Sequence, residues 1–465
     1  MANQPNIILV LMDDLGWRDL SCYGSTFYET PNLDKLARQG MRFTNAHAAC
    51  PVCSPTRASI MSGKYPANVG CTDWIDHGNS HPLRGRLVDA PYVKELPITE
   101  TSLATALREG GYQTWHVGKW HLGLEPTWPL NHGFDVNIGG CQIGSPRQGY
   151  FAPHKIPTLP EGPDGEYLTE RLTVEAVKLI RDKKPGKPFF LNFWHYAPHT
   201  PIQAPSHLVD KYRAKAKRLR LDLINPFIES DYVPRDPTRT RPIKRRIVQS
   251  DPVYAAMMET IDDSIGALMQ VLDEIGEADN TIFIFTSDNG GLATSEGSPT
   301  CNAPLAEGKG WMYEGGTREP LIVRWPTKIA ADSTCVEPMT SPDFYPTLLE
   351  AAGLPLRPDQ HQDGVSIMPM LKGEPQVRGP IFWHYPHYGN QGGTPGSSVR
   401  DGDWKLIEFF EDNRLELYNL REDESESINL AESEPQIRDR LHSLLKQWRD
   451  KMNAKYPTPN PDWAG

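Results

Sequence analysis

No stretch of the 465-residue chain approaches the roughly 18 consecutive apolar residues that a membrane-spanning helix needs. A helical membrane protein is therefore not expected. The amino terminus, Met1 to Met12, has no basic region, and its apolar run stops at Asp13. It reads as a first strand and not as a signal peptide, so the chain as given is expected in the cytoplasm unless a leader has been removed. Cysteine is scarce: seven residues, at 22, 50, 53, 71, 141, 301 and 335. Only Cys50 and Cys53 have a metal-type spacing, and no second pair completes a zinc site. An odd number of thinly spread thiols suits a reducing compartment. Positive charge is in deficit, 48 Lys and Arg against 59 Asp and Glu, for a net charge of -11. That balance argues against a nucleic-acid partner, and an anionic substrate would need a locally basic pocket. There is no internal repeat and no low-complexity tract.

What is present describes a soluble globular protein: 38% apolar residues and a mean hydropathy of -0.52. The 43 prolines and 38 glycines imply many ordered loops. The length suits about two to three domains, or one large domain with an appendage. Continuous apolar runs at 6–12, 188–194 and 280–286 predict strands buried on both faces. Further strands are expected at 41–47, 113–117 and 320–325. Helical spacing predicts helices at 30–40, 102–110, 254–275 and 341–353. Strands alternating with helices predict an α/β fold with a large, mostly parallel sheet. From about residue 375 the pattern changes to antiparallel strands at 381–384, 397–410 and 415–418, then a helix at 435–452. The expected division is a catalytic α/β domain over 1–374 and a smaller α+β domain over 375–465.

The chemistry concentrates where strands end. Asp13-Asp14 follows the first strand and Asp288-Asn289 follows the strand near 280. In open α/β sheets ligands bind at that end, and four oxygen donors suit Ca²⁺ or Mg²⁺. Taken singly, such pairs are more often turns or caps. Lys119 and His121 leave another strand at i, i+2. Cys53-Ser54-Pro55-Thr56-Arg57 opens a short helix ended by Gly63, with Ser54 as the expected N-cap and proline in the first turn. Cys53 then sits at a helix N-terminus, which favours negative charge. The plain alternative is a small apolar cysteine packed at a cap. Residues 211–246 carry twelve Lys or Arg, with Pro226, Pro234, Pro237 and Pro242 among them. They read as a solvated insertion, with a basic lip for a polyanionic glycan or a contact between subunits of a homo-oligomer as functional alternatives.

Cys53-x-Pro-x-Arg57, continued by Ala-Ser-Ile-Met-Ser-Gly-Lys-Tyr-Pro66, resembles the signature of the type I sulfatases. Gly-Lys119-Trp-His121-Leu-Gly, Ala-Pro-His199-Thr-Pro, Glu-Gly-Lys309 and Asn131-His-Gly-Phe-Asp135 resemble the same family. The resemblance implies an alkaline phosphatase-like fold and hydrolysis of sulfate esters. It implies that Cys53 is oxidised by a formylglycine-generating enzyme, and that the hydrated aldehyde is the nucleophile. It implies Ca²⁺, or Mg²⁺, held by Asp13, Asp14, residue 53, Asp288 and Asn289. Arg57, Lys119 and Lys309 would clamp the sulfate, His121 would act on the aldehyde hydrate, and His199 with Lys309 would serve the leaving alcohol. Gly70-Cys-Thr-Asp73-Trp74-Ile75 resembles members acting on sulfated galactose-type sugars. Asp73, Trp74, His77, His81, His384, His387 and Arg400 are the candidates for the sugar-binding rim. The alternatives are a phosphonate or phosphate ester hydrolase with the same aldehyde, and a catalytically silent glycan-binding relative.

Overall fold

Seven consecutive buried residues, Asn6–Met12, form the centre of the sheet. Successive strand side chains point to opposite faces. Ile8, Val10 and Met12 accordingly enter one hydrophobic core, and Ile7, Leu9 and Leu11 enter the other. The structure, a computed structural model, describes residues 4–77, 84–233 and 240–463. The strand order of the large sheet is Ser333–Cys335, Met41–His47, Arg318–Arg324, Thr281–Ser287, Asn6–Met12, Phe189–Trp194, Gln113–Gly118 and Val136–Ile138. Met339–Thr340 also pairs with Met41–His47. Neighbours run parallel except at Arg318–Arg324, which is antiparallel to both of its partners.

Helices cover both faces. Leu168–Arg181, Ser206–Arg218 and Pro252–Glu274 pack on the Val10 side through Leu172, Tyr212 and Ile261. Cys53–Ser62, Leu103–Glu109 and Phe344–Ala351 pack on the Leu9 side through Ile60, Leu107 and Leu348. Among the described residues no helix is long and apolar enough to cross a membrane.

The carboxy-terminal sheet has four antiparallel strands in sequence order: Ile381–Tyr385, Gly396–Asp401, Trp404–Phe409 and Leu415–Asn419. The single strand expected over 397–410 is therefore a hairpin. It turns at Gly402, whose φ of 62° lies in the left-handed region that glycine tolerates. One face of this sheet packs Val399, Leu406 and Leu417 against Leu441, Leu445 and Trp448 of the helix Pro435–Met452. The other packs Trp383, Tyr385 and Ile407 against Cys50, Val52 and Met312, so it abuts the loop that carries Cys53.

The basic segment is more structured than its charge suggests. Ser206–Arg218 is a helix whose Val209, Tyr212 and Ala216 are buried. Phe227–Tyr232 and Pro242–Arg246 form a two-stranded hairpin. Lys211 and Lys215 pair with Glu29. Arg245 pairs with Glu307, and the buried Arg246 donates to the Ser298 carbonyl. These four cations hold the segment to the body. Arg235 and Arg239 lie outside the described residues.

Candidate active site

Register brings the acidic pairs together. Met12 lies opposite Ser287 on parallel neighbouring strands, so Asp13-Asp14 and Asp288-Asn289 leave the sheet side by side. Gly118 lies opposite Trp194 one strand further on, which delivers Lys119 and His121 to the same edge. Gly118 has φ 103°, and a Cβ there would fall 1.9 Å from the Trp194 carbonyl oxygen. Only glycine lets the chain turn so close to its neighbour before Lys119. Lys309 arrives from the loop between Thr281–Ser287 and Arg318–Arg324, fixed by Lys309 N donating to the Gly291 carbonyl and Gly310 N to that of Pro51.

Cys53 is the first residue of a helix that is buried along all ten residues. Ser54 is not the N-cap; that position belongs to Val52, and Ser54 lies inside the helix. Its hydroxyl donates to the His121 carbonyl at 2.9 Å and accepts from Ile75 N at 3.0 Å. It thus staples the cysteine helix to two walls of the site. A wholly buried helix must satisfy its polar side chains internally, and here that need assembles the site.

Around Cys53 the charges interlock. Lys119 Nζ donates to Asp13 Oδ2 at 2.7 Å. Arg57 Nε donates to Asp288 Oδ2 at 2.8 Å, with Nη2 2.7 Å from the same oxygen. Lys309 Nζ donates to Asp14 Oδ2 at 2.8 Å and to His199 Nε2 at 3.1 Å. The His199 Nδ1–H is directed at the Thr200 carbonyl, 2.8 Å away, which leaves Nε2 as the acceptor. His121 Nε2 is 2.7 Å from the Ile75 carbonyl, and its Nδ1, 3.5 Å from Cys53 Sγ, keeps a lone pair facing residue 53.

Burial pushes the Cys53 thiol up, against the pull of Lys119 and Lys309. An activated thiolate would be shifted the other way, so Cys53 is not poised as a thiol nucleophile. Burial, with the field of Lys119, keeps His121 well below the ordinary imidazole range. Burial and Lys309 bring His199 to about 4, so both imidazoles are neutral at pH 7. Burial opposes the charge on Lys309, yet Asp14 holds its proton on firmly.

The acidic set fits a hard cation. Asp13 Oδ1 and Asn289 Oδ1 are buried and accept no hydrogen bond. Burial and Asp13 raise Asp288 to about 6, while burial and Asp14 raise Asp13. Each of the three carboxylates has a cation beside it, yet Asp13 Oδ1 and Asn289 Oδ1 stay open to a further ligand. Ligand atoms of Asp13, Cys53 and Asp288 lie within 4.8 Å of one another, and the Asp13, Asp14, Asp288 and Asn289 side chains offer only oxygens.

The cluster opens into a cavity of about 330 Å³ whose lining includes Cys53, His121, His199 and Lys309. Trp74 and His77, expected at the rim, line it. So do Asp76, Gln142, Arg147, Glu296, Asn390 and Gln391, which the sequence did not single out because no motif marks them. Two expected rim residues are elsewhere. His384 is buried with Nδ1 on Ser397 and Nε2 on the Lys455 carbonyl. Arg400 is buried against His47, Asn45 and Glu314. His384 shares the sheet face of Phe382, which packs toward the carboxy-terminal helix, whereas Arg400 is on the opposite face and is held by the large domain through Glu314 and His47. Asp73 and His387 are buried outside the lining, and His81 lies outside the described residues.

Comparison with known proteins gives the same picture. The Sulfatase family model matches residues 5–354, and the model "N-sulphoglucosamine sulphohydrolase, C-terminal" matches residues 307–452. A sulfatase of Formosa agariphila is 33% identical, covering 100% of this chain and 91% of its own. The N-acetylgalactosamine-6-sulfatase of Homo sapiens is 32% identical over 82% of this chain and 68% of its own. The crystal structure of Ps i-CgsB in complex with k-i-k-neocarrahexaose superposes with a TM-score of 0.76 at 27% identity, covering 99% and 94% of the two chains. A family match across three quarters of the chain, over a sheet edge where Cys53 meets open carboxylates and three cations, places this chain in the sulfatase family, as a sulfuric ester hydrolase.

Proposed function

We propose that the chain removes sulfate from a sugar of the galactose or N-acetylgalactosamine type, with Cys53 matured to formylglycine by a separate enzyme. The observation that carries this reading is the hydrogen bond between His121 Nδ1 and Cys53 Sγ, at 3.5 Å, at the floor of a sugar-sized cavity. Matured, residue 53 supplies a hydrated aldehyde. One hydroxyl attacks sulfur in line, and the other allows the sulfate to leave by C–O cleavage.

The chain's own residues do the rest. Asp13, Asp14, Asp288 and Asn289 would hold Ca²⁺, which supplies positive charge beside the sulfuryl oxygens. Arg57, Lys119 and Lys309 stand at the same edge, where charge develops on those oxygens in the transition state. Lys309 carries a proton and already donates to His199 Nε2. The pair can pass it to the departing sugar oxygen. His121, neutral with Nδ1 directed at residue 53, takes the proton whose loss expels sulfate. Over the cycle R–O–SO₃⁻ and water become ROH, SO₄²⁻ and a proton.

The cavity volume sits at the low end of the roughly 300–1,000 Å³ of small-molecule sites, which suits one sugar residue at the reacting position. A second groove of about 280 Å³ shares Asn390 and Gln391 with it and is lined by Arg241, Lys244, Thr294 and Ser295. This supports a further anionic sugar beyond the first, and narrows the basic lip to Arg241 and Lys244. A panel of 4- and 6-sulfated galactose and N-acetylgalactosamine, as monosaccharides and oligosaccharides, tests the proposal by sulfate release. The best sugar sulfate is expected to exceed every phosphate ester in kcat/KM. A preference for phosphate or phosphonate esters would overturn it.

A further inference from the structure

We propose that Arg147 binds a second anionic group of the substrate, a sulfate or a carboxylate beside the sulfate that is removed, an inference that rests on the reading of the site as a sugar sulfatase. Arg147 lines the active-site cavity. Among the described residues its side chain makes no ion pair and no hydrogen bond. Lys309, the other lysine or arginine of the lining, is engaged by Asp14 and His199. A cavity that receives an anion thus holds one uncommitted guanidinium.

The backbone that carries Arg147 is fixed to both histidines of the site. His121 N donates to the Cys141 carbonyl at 3.0 Å. A Cβ on Gly144 would fall 2.5 Å from His121 Cε1, so this segment lies directly against the imidazole. Gly149 N donates to the Pro146 carbonyl at 2.8 Å and closes a turn over 146–149, with Arg147 at its first corner. Tyr150 follows and is fully buried, its hydroxyl 2.8 Å from both the Tyr196 and the His199 carbonyls. Its backbone N donates to Gln203 Oε1 at 2.8 Å. The mount is held at both ends while the side chain on it is unpaired. A mount ordered in advance lowers the cost of ordering on binding.

The charge pattern of the lining sets where that anion goes. Glu296 lines the same cavity, and its carboxylate accepts from Gln391 Nε2 at 2.8 Å and from the Thr200 hydroxyl at 3.2 Å. Asp76 lines it too. These two carboxylates repel a second anion, whereas Arg147 attracts one, so the substrate is oriented as well as held. A planar guanidinium takes a sulfate or a carboxylate through two parallel N–H···O bonds, a geometry that lysine does not reproduce. Arg147 makes no contact with Cys53, His121 or His199, and its contribution is to binding. Its loss should therefore raise KM and leave kcat.

The test measures binding by calorimetry to the full chain carrying Cys53→Ala. N-acetylgalactosamine 4-sulfate and 6-sulfate are compared with the 4,6-disulfate. A sulfated disaccharide whose neighbouring sugar is a uronate is compared with its methyl ester. At least one doubly anionic ligand should bind about tenfold or more tightly than its singly anionic counterpart, the usual worth of a hydrogen bond to a charged group. A gain for the disulfate alone identifies a sulfate as the second anion, and a gain for the uronate alone a carboxylate. Arg147 is exposed, so Arg147→Gln should fold normally, remove that gain and leave the singly anionic ligand unaffected. Arg147→Lys should restore only part of the gain. Equal affinities within every pair, or a gain that survives Arg147→Gln, would overturn the proposal. Sulfate release from a singly sulfated sugar by the wild type would leave the sulfatase reading standing in that event, and failure of that reading would show separately as no release from any sugar sulfate.

Discussion

Two buried ionic clusters lie within this chain, and they differ in how completely they are satisfied. At the junction of the two sheets, Glu314 Oε2 is 2.6 Å from Arg318 Nε and 3.2 Å from His47 Nε2. Lys405 Nζ bridges Glu314 Oε1 and Glu426 Oε1, at 2.9 Å each, and Glu426 Oε2 accepts from Glu314 N. Every carboxylate oxygen there has a donor or a cation. At the catalytic edge three carboxylates meet three cations, yet Asp13 Oδ1 and Asn289 Oδ1 accept nothing. The first cluster is closed and joins parts of the fold. The second is looser: Asp13 Oδ1 has only Arg57 Nη2, 3.8 Å away, and ligand atoms of Asp13 and Asp288 lie within 4.8 Å of that of Cys53. Buried charge alone therefore does not mark a site; here the open oxygens come with a neighbouring Cys53 and a cavity.

The largest effect should come from the open cluster. Cys53→Ala should lower turnover on the order of 10⁶-fold, as loss of a catalytic nucleophile does, with little change in thermal unfolding. Next, Asp288→Ala or chelation should abolish activity and lower the unfolding temperature together, because an ion bound only to the folded state stabilises it. Full activity after verified removal of the ion would remove the cation from the account. His199→Ala should cost about 10²–10⁴-fold on a sugar sulfate, the usual worth of general acid catalysis, and far less on a nitrophenyl sulfate, whose leaving group needs no proton. Equal losses on both substrates would mean that the proton comes from elsewhere.

The closed cluster should behave in the opposite way. Lys405→Ala leaves two buried glutamates facing each other, and should cost about 3–5 kcal/mol of stability while the folded fraction keeps its kcat. The smallest effect concerns pH. Burial and Glu314 raise Glu426 to about 7 from 4.5. The folded chain therefore holds a proton that the unfolded chain has released between these values. By linkage, stability falls as pH rises through that window, and Glu426→Gln should flatten the slope in unfolding measured at pH 5 and pH 8.

Much of this was legible in the sequence because the relevant signals are local. Apolar runs at 6–12 and 188–194 read as strands buried on both faces, and the polar residues that follow parallel strands emerge at one sheet edge. The helix Ser206–Arg218 was hidden because its three buried residues are outnumbered by lysine and arginine. His384 was misplaced because alternation fixes which residues share a face, not which face meets the cavity, and Arg400 because Glu314 and His47 hold it away from that cavity. The approach of Asp73 Oδ2 to His387 Nδ1, 3.8 Å between residues over three hundred apart in sequence, depends on how the small sheet docks, and no local pattern encodes that docking. Likewise Glu296 and Gln391 meet only through the fold, with Gln391 Nε2 donating to Glu296 Oε1 at 2.8 Å.

The central claim is that residue 53 acts as an aldehyde beside an open, cation-ready cluster. Preparations made with and without co-expression of a formylglycine-generating enzyme would differ in their degree of maturation. In each, the fraction of the residue-53 peptide that reacts with a hydrazide probe can be measured by mass spectrometry, alongside sulfate release from the best sugar substrate. The account predicts specific activity proportional to the aldehyde fraction, with a line through the origin. Substantial turnover from protein whose residue 53 is entirely thiol would contradict it.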